Sequence, residues 1–158
     1  MLVVDARPMR LEDCSATLRR EDSLECRATG ARDDHDALRT SLLASTVALT
    51  FRFDGQPVAF GGIVNEPVLT EAPTRGLVWL LTTDACRAHP LATHRMALRF
   101  LEACGWDVLH NHVDAHYLTA LRWLSALGFK VAPPAPWGPF GAPFHAVEWR
   151  RTWTHSPS

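Results

Sequence analysis

The chain has 158 residues, 47% of them hydrophobic and 21% charged, with a formal net charge of −1. This is the make-up of one globular domain that buries about two-thirds of its unfolded surface, and it excludes a disordered or low-complexity chain. A near-neutral balance carries no electrostatic footprint of a nucleic-acid or anionic-membrane binder, and the longest apolar runs are far too short to span a bilayer.

The opening MLVVDARPMRLED lacks the charged, apolar, small-residue order of a secretory leader. Cys14, Cys26, Cys86 and Cys104 form no C-x-x-C pair. They read as reduced thiols packed as small apolar groups, which points to a cytoplasmic protein. Residues 2–6 alternate weakly as a first strand, and over 11–28 the spacing of Leu11, Cys14, Leu18 and Leu24 suits one or two helices. Asp33 and Asp34 lead a clear helix in which Ala37, Leu38, Ser41 and Leu42 share a face. An Asp at that position caps the free N–H groups of the first turn. Residues 46–53 and 56–64 are β-rich runs joined by Asp54-Gly55, a strong hairpin signal because both turn positions tolerate positive φ.

A loop with two prolines over 65–75 leads to a wholly apolar strand at 76–82, the pattern of a central buried strand. Pro90 starts a helix with Met96, Ala97, Phe100, Leu101 and Cys104 inward, and Arg95, Arg99 and Glu102 outward. A strand at 106–113 follows. The helix at 117–127 turns Ala120, Leu121, Leu124 and Leu127 inward and stops at Gly128, a left-handed cap. Five prolines make 132–143 a rigid irregular loop, 144–152 is the last strand, and 154–158 is a polar tail beyond a single domain spanning 1–153. The class is α+β: a central mixed sheet flanked by helices on both faces.

Several residue groups bear chemistry. His110, His112, Asp114 and His116 form H-x-H-x-D-x-H, and on a strand positions 110, 112 and 114 share a face. The spacing does not suit a metal, so no metal site is expected; His112 and His116 are the best acid/base candidates. Asp33, Asp34, His35 and Asp36 read as helix caps. Arg87, His94, Arg95 and Arg99 crowd the start and outer face of one helix, as a solvated basic face or as ligands for a phosphate. Among the six tryptophans, Trp79, Trp106 and Trp123 read as packing residues, whereas Trp137, Trp149 and Trp153 are expected to be exposed and to form a contact surface for other proteins.

The order of elements, and the stretch from Val78 to Phe129 closing on "ALGF", resemble a GNAT N-acetyltransferase over nearly the whole chain. Arg10, "LRREDSLE", "LLTTD", "WDVLHNHVD" and "ALRWLSALGF" further resemble the internal virion protein A-type family of short-tailed phages. The resemblance implies acetyl-CoA as cofactor, held by Thr82 and Thr83 at the strand end and by Arg87 and Arg95. It also implies a Q/R-x-x-G-x-G/A phosphate loop, where this chain places Pro90 and Ala92 in the segment opened by Arg87. The family tyrosine four residues before the Gly of "GF" is here Leu124, and the asparagine seven residues earlier is Tyr117, a displaced hydroxyl donor. Two functions are therefore expected. One is a phage protein of the host cytoplasm or virion, partnered by phage or host proteins, with weak or absent catalysis. The other is an active acetyl-CoA-dependent N-acetyltransferase with a divergent phosphate loop.

Overall fold

Asp54 and Gly55 take φ of 49° and 80°, the twist that a two-residue hairpin requires. They join β2 (Val47–Phe53) to β3 (Gln56–Glu66). A computed structural model of the chain, which describes residues 1–67, 69 and 73–151, builds the molecule around this hairpin. The other strands are β1 (Val4–Pro8), β4 (Arg75–Thr82), β5 (Val108–Asp114), β6 (Lys130–Val131), β7 (Ala135–Trp137) and β8 (Ala142–Arg150). Their order is β1-β2-β3-β4-β5-β8-β6, with β7 also paired to β8. Among the described residues every pairing is antiparallel except β4 with β5.

That parallel pairing covers only Arg75 with Val108, Gly76 with Leu109 and Leu77 with His110. Beyond it the strands part, and Asn111 Nδ2 donates to Val78 O at 2.7 Å where they do. The helices are α1 (Arg20–Ala28), α2 (Asp34–Ala44), α3 (Pro90–Ala103) and α4 (Leu118–Ala126), with 3₁₀ turns at Leu11–Ser15 and Asp84–Ala88. Strand alternation sends Phe60, Trp79 and Leu81 to one face, where they pack with Cys14, Leu18 and Leu38 beside α2. Ile63, Leu109, Val113, Val147 and Trp149 fill the other face against Ala97 and Leu101 of α3 and against Leu127 and Phe129. Asp33 caps α2 as its spacing predicts, accepting Asp36 N–H at 2.7 Å, whereas Asp34 turns away from the cap to accept Leu18 N–H and the Ser23 hydroxyl. No helix among the described residues is long and apolar enough to cross a membrane.

Two of these expectations change. The 132–143 segment is not irregular, because it holds β7 and the start of β8, with Pro136 opposite Pro143; proline is tolerated at such edge positions because no N–H is asked of it there. Trp149 is 1% exposed, not a surface residue. It lies opposite Leu109 on the inward side of β8, and strand alternation rather than nearness to the chain end sets its burial. α4 turns Ala120, Leu121 and Leu124 inward as its spacing predicts, half-buried against the core, with Leu127 buried just past its end. Trp153 and the 154–158 tail lie outside the described residues.

A Cβ on Gly62 would meet Val47 O at 2.4 Å and the Trp79 ring at 2.9 Å. Gly62→Val is therefore expected to destabilise the fold by about 3 kcal/mol, the upper end of typical overpacking. Urea titration checks this as a lowered midpoint with an unchanged slope.

Candidate active site

Thr83 N–H donates to Val58 O at 3.0 Å, so odd-numbered residues at this end of β4 turn their main chain to β3 and even-numbered ones turn it toward β5. Val78, Leu80 and Thr82 therefore face the space that β5 leaves. Val78 O takes the Asn111 amide. Thr82 N–H donates to Asp22 Oδ2 at 2.8 Å, its hydroxyl donates to the same oxygen, and its C=O accepts Arg19 N–H at 2.8 Å. Leu80 lies between these two anchored residues, with its N–H and C=O turned into the cleft. The space is a cavity of about 480 Å³ running through the opened sheet, from α3 and α4 on one face to α1 on the other.

Two carboxylates of α1 sit at the α1 end. Asp22 is 5% exposed; burial raises its pKa, while the bonds from Thr82 and from the Tyr117 hydroxyl oppose the rise. Glu25 lies three residues on, lines the cavity, and accepts Asp114 N–H on Oε2 at 3.1 Å. Burial pushes its pKa up to about 7, opposed by that N–H and reinforced by the nearby Asp22 and Asp114 charges. A half-buried carboxyl that titrates near neutrality, with one oxygen held by the main chain, is poised to accept a proton.

Across the cavity His112 stacks on Trp137, with ring centroids 4.3 Å apart and planes within 7°. Burial, then the neighbouring His110, lowers the His112 pKa, so its imidazole is neutral at pH 7. Tyr117 begins α4 with Arg19 over its ring at 5.9 Å. Burial, then Asp22, raises the pKa of its phenol, so it keeps its proton throughout the neutral range.

At the other end lies the start of α3. Thr93 N to His89 O is the first bond of the helix, and His89 supplies no side-chain cap. The N–H groups of Leu91 and Ala92 precede that bond and are open to an anion. Arg87 lines the same mouth, holding Glu21 through Nη2 at 3.1 and 2.9 Å and Asp84 through Nε at 3.2 Å.

The structure thus brings His112, Tyr117, Thr82 and Arg87 to one cavity. It separates the other three sequence candidates. Thr83 turns its N–H and hydroxyl to Val58 and Pro57. The His116 side chain is 83% exposed and pairs with Asp114 at 2.9 Å. Arg95 lies with Arg99 in a different groove between α3 and β1–β2. The H-x-H-x-D-x-H residues do not act together: His110 binds Glu66, His112 stacks on Trp137, and Asp114 pairs with His116, and among the described residues no group of His, Cys, Asp and Glu converges to hold a metal ion. Sequence reading alone misses Asp22, Glu25 and Leu80. The only signal was "LRREDSLE", whose two carboxylates three residues apart share a helix face.

A mixed sheet that opens between its parallel neighbours, with a helix N-terminus at the mouth of the opening, is the GNAT fold, and comparison with solved structures bears this out. The chain superposes on the acetyltransferase of GNAT family from Streptococcus pneumoniae with a TM-score of 0.63 at 10% identity, covering 94% of this chain and 99% of that one. It matches aminoglycoside acetyltransferase AAC(6')-Ib in complex with coenzyme A with a TM-score of 0.67 at 14% identity, over 95% and 96% of the two chains. YncA from Salmonella typhimurium, solved with its cofactor acetyl-CoA, gives 0.62 at 13% identity over 98% of each chain. By sequence, no family model and no curated protein matches. The narrower resemblance to phage internal virion proteins gains no support from these comparisons.

The Glu25 carboxyl titrates at about 7 in the fold against 4.5 in an open chain. The folded chain holds the extra proton between those values, so this group costs nothing at low pH and destabilises the fold as pH rises through the window. The full cost above neutrality is about 3 kcal/mol. Glu25→Gln keeps an acceptor for Asp114 N–H and removes that cost. Its urea midpoint is expected to exceed that of the parent at pH 8 and to match it at pH 4.5.

Proposed function

We propose that this chain is an acyl-CoA-dependent N-acyltransferase that acylates an amine by direct attack, with acetyl-CoA as the simplest donor. The observation that carries the reading is Glu25, a carboxyl titrating at about 7 on the wall of the β4–β5 opening. The solved structures that hold CoA or acetyl-CoA in the same fold support the choice of cofactor.

The residues present suit that group. Leu80 N–H and C=O would pair with the amides of its pantetheine arm as a third strand would. Leu91 N–H, Ala92 N–H and Arg87 would hold its phosphates. Pro90 gives no N–H, but at the first helical position none of the helix bonds needs one. When bound, acetyl-CoA supplies an acyl thioester, already activated toward an amine. The chain's own work is then positioning and proton handling. Glu25 accepts the proton of the incoming ammonium, and near pH 7 the required carboxylate form is well populated. His112, neutral and clamped flat against Trp137, walls the amine side and offers a second acceptor. Tyr117 has already given its hydroxyl to Asp22, so it fixes α1 across the opening rather than acting as a free acid. With Leu124 at the family tyrosine position, no phenol stands there to protonate a leaving thiolate. A virion-associated role rests on motif resemblance alone, and no feature of the cleft favours it.

Calorimetric titration with acetyl-CoA, followed by transfer assays on a panel of primary amines, tests the reading. Micromolar binding and turnover are expected; no binding at millimolar concentration sinks it. Arg87→Ala is expected to weaken binding about tenfold by removing a phosphate partner. Glu25→Gln should leave binding intact and lower kcat about 100- to 10,000-fold. In the parent, kcat should rise with pH and level off above about 7.

A further inference from the structure

The cavity does not end at the level where β4 and β5 part. Below Val78 it continues as a chamber between the sheet and the two helices laid over it, with Ala97, Phe100 and Leu101 of α3 on one side, Leu124 of α4 on the other, and Phe129 and Val147 beneath. All six are apolar. The charged residues of the cavity, Arg19, Asp22, Glu25 and Arg87, belong to its mouth and its α1 end.

A second observation concerns α4. Ala120, Leu121 and Leu124 pack against the core beneath the helix, yet no residue of α4 is buried. Ala120 and Leu124 border the cavity, so the space reaches under the helix. Trp123 keeps that space open, because its indole N–H donates to His94 Nδ1 at 3.2 Å and braces α4 against α3 across the top. Those six apolar side chains offer water no hydrogen-bond partner, so the space between them suits hydrocarbon.

We propose that this chamber is an acyl-chain pocket, and that the preferred donor carries a straight acyl chain of butyryl to octanoyl length rather than acetyl. The proposal rests on the N-acyltransferase reading and names the donor class of that same site. Each methylene moved from water into the chamber strengthens binding about fourfold at most.

Calorimetric titration of the parent with CoA, acetyl-CoA and octanoyl-CoA tests this without any turnover. Octanoyl-CoA is expected to bind at least about tenfold tighter than acetyl-CoA. Ala97→Phe, which places a ring in the chamber, should bring the ratio of the two affinities close to one. Ala97→Leu serves the same purpose with less strain if the phenylalanine variant does not fold, and should lower the ratio part of the way. Equal affinity of the parent for both thioesters overturns the acyl-chain pocket and leaves the N-acyltransferase reading standing. A preference for octanoyl-CoA that survives Ala97→Leu and Ala97→Phe places the chain elsewhere and also overturns the pocket. Failure of every CoA species to bind overturns both.

Discussion

β4 and β5 share three residue pairs and then separate, and the rest of the molecule is arranged around that separation. Parallel strands that part expose main-chain groups which must be satisfied or left for something else to use. Here each exposed group has a specific fate. Val78 O goes to a side-chain amide, Thr82 goes to an aspartate and to the main chain of Arg19, and Leu80 is left facing the gap. Below the parting the strands are pinned. Gly76 leaves room for no side chain, since a Cβ there would meet Ile63 at 2.5 Å and the Trp106 ring at 3.1 Å. Thr74 N–H and hydroxyl bind Asp107, and Arg75 holds Glu66 and Glu148 at the surface.

α1 is the brace that holds the two arms at a fixed distance. It grips the β4 arm through Asp22 and the β5 arm through Glu25, with Tyr117 adding a contact from the start of α4. The two carboxylates are chemically alike and differ in their commitments. Asp22 has Thr82 and Tyr117 as donors and is buried at the α1 end of the cavity. Glu25 has one oxygen on Asp114 N–H and lies against the cavity. The same desolvation therefore yields a structural anchor in one case and a group able to exchange a proton in the other.

Much of the fold is legible in the sequence because its rules are local. Asp54-Gly55 specifies its own turn, Asp33 its own cap, and the unbroken apolar run of β4 its central place. The site is less legible because it depends on an inverted pattern. In α1 the charged Asp22 is buried and Leu24 is 51% exposed, so periodicity read for apolar residues points the helix the wrong way. Thr82 can be picked out as a strand-end residue, but its partner lies 60 positions away. Strand parity selects the face of His112, whereas Trp137 reaches it only because β7 folds back on β8. Arg87 and Arg95 are near neighbours in sequence that face different grooves, since the chain changes from a 3₁₀ turn to an α-helix between them.

The proline-rich segment that delivers Trp137 has a second effect. β6 and β7 cover successive lengths of the far side of β8, so together they form the outer margin of the sheet. Pro133, Pro134 and Pro136 remove donors from that margin, and the two short strands offer little continuous ladder to an approaching chain. The segment that backs His112 with the Trp137 ring thereby also keeps this edge of the sheet from recruiting a foreign strand.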